Sequence, residues 1–119
     1  MKNILIVDDS KFMRRMMKNL VINNGYKVVG EAENGKIALE KYKELKPDIV
    51  TMDITMGEMS GLEALGAILD VDPNARIVMV SSIGQEVVVR EAIMLGAKGF
   101  IVKPFEEKQV ITAFTKLMP

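Results

Sequence analysis

The chain has 119 residues, a length that fits one domain with one core, and an apolar fraction of 49% to fill that core. Lysine plus arginine and aspartate plus glutamate both number 16, so no net charge draws the chain toward nucleic acid or an anionic membrane. Cysteine and histidine are absent, which excludes disulfides, thiolate and imidazole metal ligands, a Ser–His couple and a phosphohistidine in this chain. The opening Met1-Lys2-Asn3-Ile4 lacks the apolar segment of a signal peptide, and no run is long enough to cross a bilayer, so the expected location is the cytoplasm.

Taken in order, strands alternate with helices. Ile4 to Val7 is an apolar strand that ends in Asp8-Asp9, and Ser10 is placed to cap the first helix. That helix carries Met13, Met16, Met17, Leu20 and Val21 at helical spacing, read as core filling, and Asn23-Asn24-Gly25 stops it. Lys27 to Ala32 is a second strand with charge at both ends, which suits a sheet edge. Asn34-Gly35 opens a second helix with Ala38, Leu39, Tyr42 and Leu45 inward, and Lys46-Pro47-Asp48 breaks it. Strand three, Ile49 to Asp53, is an unbroken apolar run typical of a strand buried on both faces, and it ends in a carboxylate. Ser60-Gly61-Leu62-Glu63 has the form of a capping box for a third helix that buries Leu62, Leu65, Ile68 and Leu69. After the turn at Asp72-Pro73-Asn74, a fourth strand, Arg76 to Val80, ends in Ser81-Ser82. Helix four carries Val88, Val89, Ala92, Ile93 and Leu95 and stops at Gly96. Strand five, Gly99 to Val102, leads into Lys103-Pro104-Phe105. Helix five sets Val110, Ala113, Phe114 and Leu117 against Glu106, Glu107 and Lys108.

Strict alternation of this kind implies an α/β architecture, a parallel sheet with helices on both faces. In such sheets ligands bind at the carboxyl ends of the strands. Every polar residue of interest stands just there: Asp8 and Asp9, Asp53, Ser81 and Lys103. Turn chemistry explains one polar strand end readily, but not several at once with a lysine closing the set. Three carboxylates in one pocket repel one another unless a cation joins them. Oxygen-only donors favour a hard ion, Mg²⁺ above Mn²⁺ or Ca²⁺; two acids and a loop carbonyl, with waters, supply about the right number of ligands. Asp53 can then act as a nucleophile toward a phosphoryl group whose oxygens Lys103 and the Ser81 hydroxyl help to neutralise. The Lys103-Pro104 bond is open to either isomer, and a cis bond would help to aim Lys103 into the pocket.

The motifs Ile4-Leu5-Ile6-Val7-Asp8-Asp9-Ser10, Met52-Asp53-Ile54-Thr55-Met56, Val80-Ser81-Ser82, Gly96-Ala97-Lys98-Gly99-Phe100 and Val102-Lys103-Pro104-Phe105, in this order and spacing, resemble the receiver domain of response regulators. The resemblance spans the whole chain and is nearest to the CheY-like chemotaxis members. It implies a doubly wound, flavodoxin-like sheet in the order 2-1-3-4-5, an order adopted from flavodoxin and CheY as its standard examples rather than derived independently. It also implies that residues 1–119 form a single receiver domain. In this resemblance Asp53 is the phosphoacceptor, and Asp9 and Asp53 bind Mg²⁺ together with the Thr55 main-chain carbonyl. Asp8 acts mainly through a metal-bound water, Lys103 and Ser81 hold phosphoryl oxygens, and Ser81 and Phe100 form the switch. The implied partners are a CheA-like histidine kinase, a motor switch protein or archaeal adaptor bound through the helix 4–strand 5–helix 5 face, and a phosphatase; the implied state is a monomer. Gly57 departs from the proline usual in the family and frees the loop that carries Thr55. That predicts weaker or more variable Mg²⁺ binding than in a Gly57→Pro variant.

Helix five ends near Pro119, which favours a stand-alone regulator over one with an attached output domain. The alternatives within the class are a phosphorelay shuttle and a receiver excised from a longer regulator. A Mg²⁺-dependent phosphohydrolase resembling haloacid dehalogenases wants an acid two residues after its nucleophile, where this chain has Thr55, and a cap insertion that is missing. A flavin-binding module wants a phosphate loop after strand one, where Asp8-Asp9 would repel a phosphate.

Overall fold

The computed structural model describes residues 2–118. Met1, which heads the N-terminal segment read above, and Pro119, read as the end of the last helix, lie outside the described residues. Five strands and five helices alternate: β1 (Asn3–Val7), α1 (Lys11–Asn23), β2 (Lys27–Ala32), α2 (Gly35–Leu45), β3 (Ile49–Met52), α3 (Gly61–Val71), β4 (Ile77–Ser81), α4 (Glu86–Leu95), β5 (Gly99–Val102) and α5 (Glu107–Leu117). All four strand pairs are parallel, and the sheet runs β2-β1-β3-β4-β5. This is the expected architecture, with the charged strand β2 at one edge.

Side chains alternate across the sheet and build two cores. Leu5, Val7, Val50, Met52, Ile77 and Met79 face Ala38 and Tyr42 of α2, Ala64, Leu65 and Ile68 of α3, and Ala92 of α4. On the other face Ile4, Ile6, Ile49, Val78, Val80 and Ile101 meet Met17 and Val21 of α1 and Val110 and Phe114 of α5. The three inner strands are therefore apolar on both sides, as their continuous apolar runs predict.

The helix punctuation follows the sequence. The Ser10 hydroxyl accepts from the Met13 amide, and the Asn34 side chain accepts from Ile37. Ser60 and Glu63 form a reciprocal capping box. Gly25 and Gly96 take positive φ just after α1 and α4.

Several details differ from the sequence reading. β3 ends at Met52, so Asp53 is the first residue beyond it, and β4 is shifted by one residue to end on Ser81. Met16 is exposed rather than core-filling: Met17 and Val21 are buried and Met13 and Leu20 partly so, an inward stripe that is complete without Met16. In α4, only Ala92 is buried, and Ile93 and Leu95 are exposed. The cause is topological. α4 crosses from β4 to the edge strand β5, so α3 covers one of its flanks and solvent meets the other.

Candidate functional site

The sheet register assembles the site. Val7 pairs with Met52, so the next residues, Asp8 and Asp53, leave adjacent strands side by side. The ladder continues one step past the strands: the Asp53 amide donates to the Val7 carbonyl at 3.0 Å, and the Asp8 amide to the Ala32 carbonyl at 3.0 Å. On the far side Ser81 pairs with Val102, and the Lys103 amide donates to the Ser81 carbonyl at 2.9 Å. Four strand ends thus deliver their polar residues to one edge.

One carboxylate oxygen from each of Asp8, Asp9 and Asp53 lies within 4.8 Å of the other two. Asp8 and Asp53 are buried, 6% and 7% exposed, whereas Asp9 is exposed at the rim. Burial pushes the Asp53 carboxyl up from 3.8 to about 6; Lys103 pulls it down, Asp8 pushes it up, the Ile54 amide pulls it down, and Asp9 pushes it up. One ammonium is too little for three acids, and the surplus negative charge makes the cluster able to hold a metal ion. Its donors are all oxygens, in a chain without histidine or cysteine, and so fit a hard divalent cation.

Lys103 bridges the acids. Its Nζ donates to Asp8 Oδ2 at 2.6 Å and lies 3.8 Å from Asp53 Oδ2. The Lys103-Pro104 bond is cis, the isomer considered as able to direct this lysine inward. Asp53 Oδ1 accepts from the Ile54 amide at 2.9 Å, which leaves Oδ2 on the lysine side. Ser81 is 1% exposed, and its Oγ accepts from the Ile83 amide at 3.1 Å. That contact uses a lone pair and not the hydroxyl proton. Phe100 is partly buried, packed against the α2–α3–α4 core.

Thr55 and Gly57 sit exposed in the β3–α3 loop. Gly57 has no positive φ, and a Cβ there would meet nothing within 4 Å, so the position does not require glycine. Gly61 does. A Cβ on Gly61 would lie 1.9 Å from the Asp53 carbonyl oxygen, and the Gly61 amide donates to Ile54 at 2.7 Å. The first turn of α3 is thereby pressed onto the backbone that carries Asp53. Gly61 and Arg14, whose guanidinium bonds the Asp8 carbonyl at 2.7 Å, escaped the sequence reading. No periodicity or motif marks either; only the Ser60–Glu63 box, which contains Gly61, hinted at a fixed helix start.

The response regulator receiver domain family matches residues 4–115. The chemotaxis protein CheY of Thermotoga maritima is 57% identical over 116 residues, which cover 98% of this chain and 97% of that protein. CheY of Bacillus subtilis is 56% identical, covering 97% and 96% of the two chains. Among solved structures, the CheX–CheY–BeF3–Mg²⁺ complex of Borrelia burgdorferi superposes with a TM-score of 0.96 at 38% identity, covering 99% of this chain and 90% of that one. With the parallel sheet, the acid cluster and the lysine already assembled, these likenesses lead to one conclusion: the chain belongs to the response regulator receiver domain family.

Proposed function

We propose that this chain is a stand-alone, CheY-like regulator of chemotaxis that accepts a phosphoryl group on Asp53 from a histidine kinase in a Mg²⁺-dependent reaction. The observation that carries the reading is the meeting of three carboxylates within 4.8 Å of one another, with the Lys103 ammonium 3.8 Å from Asp53 Oδ2. The names of the CheY relatives support the chemotactic setting. Residues 1–119 act as one receiver domain, monomeric and cytoplasmic; in keeping with that location, no helix among the described residues is long and apolar enough to cross a membrane.

Asp9, Asp53 and the Thr55 carbonyl would hold the cation, and Asp8 would assist through water. When bound, Mg²⁺ neutralises the acids and the phosphoryl oxygens. Asp53 Oδ1 stays on the Ile54 amide while Oδ2 attacks phosphorus. The new O–P bond forms as the donor's bond to phosphorus breaks, and the leaving group keeps that electron pair. Lys103, already within 3.8 Å of Oδ2, takes one phosphoryl oxygen, and the Ser81 hydroxyl donates to another. As Ser81 moves, Phe100 turns inward. Phe100 lines the groove between β5 and α5 together with Val102, Gln109 and Lys116, so its turn would alter the β5–α5 part of the α4–β5–α5 face. That face then binds a motor switch protein or an adaptor, and a phosphatase resets the switch.

The test is intact mass after incubation with acetyl phosphate and Mg²⁺. The wild-type chain should gain one phosphoryl group and Asp53→Asn none; Lys103→Ala should bind the metal yet fail to switch. Equal labelling of wild type and Asp53→Asn would overturn the proposal.

A further inference from the structure

Asp9 is the weak point of the acid cluster. It is exposed, and among the described residues its carboxylate accepts no hydrogen bond, so nothing on its own side chain aims it. Asp8, by contrast, is held at every polar atom. Its amide donates to the Ala32 carbonyl, Oδ1 accepts from the Ser10 amide at 2.9 Å, Oδ2 accepts from Lys103 at 2.6 Å, and its carbonyl oxygen accepts from the Arg14 guanidinium at 2.7 Å. The last bond matters most for Asp9. The Asp8 carbonyl oxygen, the Asp9 nitrogen and the Asp9 Cα share one rigid peptide plane, so a bond on that oxygen fixes the backbone point from which the Asp9 side chain departs.

Arg14 can do this because it is itself anchored. Its side chain is only 15% exposed, and Nε donates to Glu31 Oε1 at 3.1 Å, which leaves the other arm of the fork for Asp8. Glu31 is fixed in turn: its carboxylate lies 3.7 Å from Lys18 Nζ, and its carbonyl accepts from Lys41. The guanidinium therefore straps the acid-bearing loop to β2, the strand beside it.

We infer that Arg14 is a positioning residue for the metal site, which, through the Asp8–Asp9 peptide and its Glu31 anchor, holds the Asp9 carboxylate ready for a divalent cation. This rests on the metal reading above. It also makes a prediction opposite in sign to simple electrostatics. A positive charge near a cation site repels the cation, so if charge alone mattered, removing Arg14 would tighten Mg²⁺ binding. If positioning matters, removing it weakens binding, as loss of an outer partner of a metal ligand does by about tenfold or more.

The experiment titrates Mg²⁺ calorimetrically into the full metal-free chain as wild type, Arg14→Met, Arg15→Met and Glu31→Gln, with the heteronuclear NOE of the Asp9 and Ser10 amides measured in chelator. Arg15 is exposed and controls for loss of the same charge one residue away. Expected are a loss of affinity of about tenfold in Arg14→Met, a loss of a few-fold in Glu31→Gln, little change in Arg15→Met, and reduced NOE values at residues 9 and 10 in Arg14→Met. Unchanged or tighter binding in Arg14→Met, or equal weakening in Arg15→Met, overturns the strap while leaving the metal reading intact. If Arg14→Met does not fold, Arg14→Lys, which keeps the charge but loses the fork that bonds Glu31 and the Asp8 carbonyl together, decides: weakened binding supports the strap and unchanged binding overturns it. Absence of saturable Mg²⁺ binding in the wild type overturns the metal reading and this role with it.

Discussion

Helices α3 and α4 follow neighbouring strands and pack on the same face of the sheet, yet they are held very differently. α3 starts with a capping box, presses Gly61 against the Asp53 backbone, and buries Gly61, Ala64, Leu65 and Ile68. α4 starts at Gln85 with no side-chain cap, buries only Ala92, and leaves Val87 75% and Met94 80% exposed. Asp53 leads toward the fixed helix, and Ser81 leads toward the loose one. The proposed phosphoryl transfer would use this asymmetry. An attacking carboxylate would have to stay put, while an element that reports its state would have to cost little to move.

The largest expected effect breaks the fixed side. In Gly61→Ala the methyl group collides with backbone, which cannot yield locally, and the loss should be about 3 kcal/mol or more in urea unfolding. Gly84→Ala at the entry to α4 meets only the Val102 side chain, at 2.8 Å, and should cost less than about 1.5 kcal/mol. Equal costs for the two would erase the contrast.

Next is the charge stored beside α3. The Asp53 carboxyl is raised from 3.8 to about 6, so the fold prefers it protonated. The Asp53 contribution to metal-free stability should therefore be largest below about pH 4, fall as pH rises to about 6, and level off, a change of roughly 3 kcal/mol at 1.36 kcal/mol per pH decade, read as the difference between wild type and Asp53→Asn. Asp53→Asn should remove that slope and be the more stable protein at neutral pH, and saturating Mg²⁺ should stabilise the wild type over the same range. A stability difference between wild type and Asp53→Asn that does not change with pH would contradict the burial argument.

Smaller effects sharpen the comparison from the loose side. Gln85 has extended backbone, φ −67° and ψ 139°, so Gln85→Asp should supply the missing cap and stabilise by about 1 kcal/mol in thermal unfolding. The least effect concerns the slack between Asp53 and the α3 cap. Gly57→Pro should tighten Mg²⁺ binding by a few-fold, because restricted φ lowers the entropy lost when the Thr55 carbonyl is ordered. Identical affinities for the two proteins would refute it.

The sequence announced some of this plainly. Unbroken apolar strands, cap residues and glycine stops are local signals, and they placed all five strands to within a residue and the first three helices to within a residue or two, whereas no cap marked the start of helix four. Asp8, Asp9, Asp53, Ser81 and Lys103 could be read because a parallel sheet turns strand ends into neighbours. Met16, Ile93 and Leu95 could not, because helical spacing says which residues share a face and not whether the fold covers it. Gly61 and Arg14 were hidden for a related reason. Each acts through a backbone carbonyl, that of Asp53 or of Asp8, and a carbonyl has no letter in the sequence.

The most direct test of the central claim is to trap the acyl phosphate where it forms. After acetyl phosphate and Mg²⁺, borohydride reduces an aspartyl phosphate to homoserine, and tandem mass spectrometry reads its position. Homoserine at residue 53 alone, lost when Mg²⁺ is chelated, is the predicted result. Homoserine at residue 8 or 9, or at 53 regardless of Mg²⁺, would contradict it.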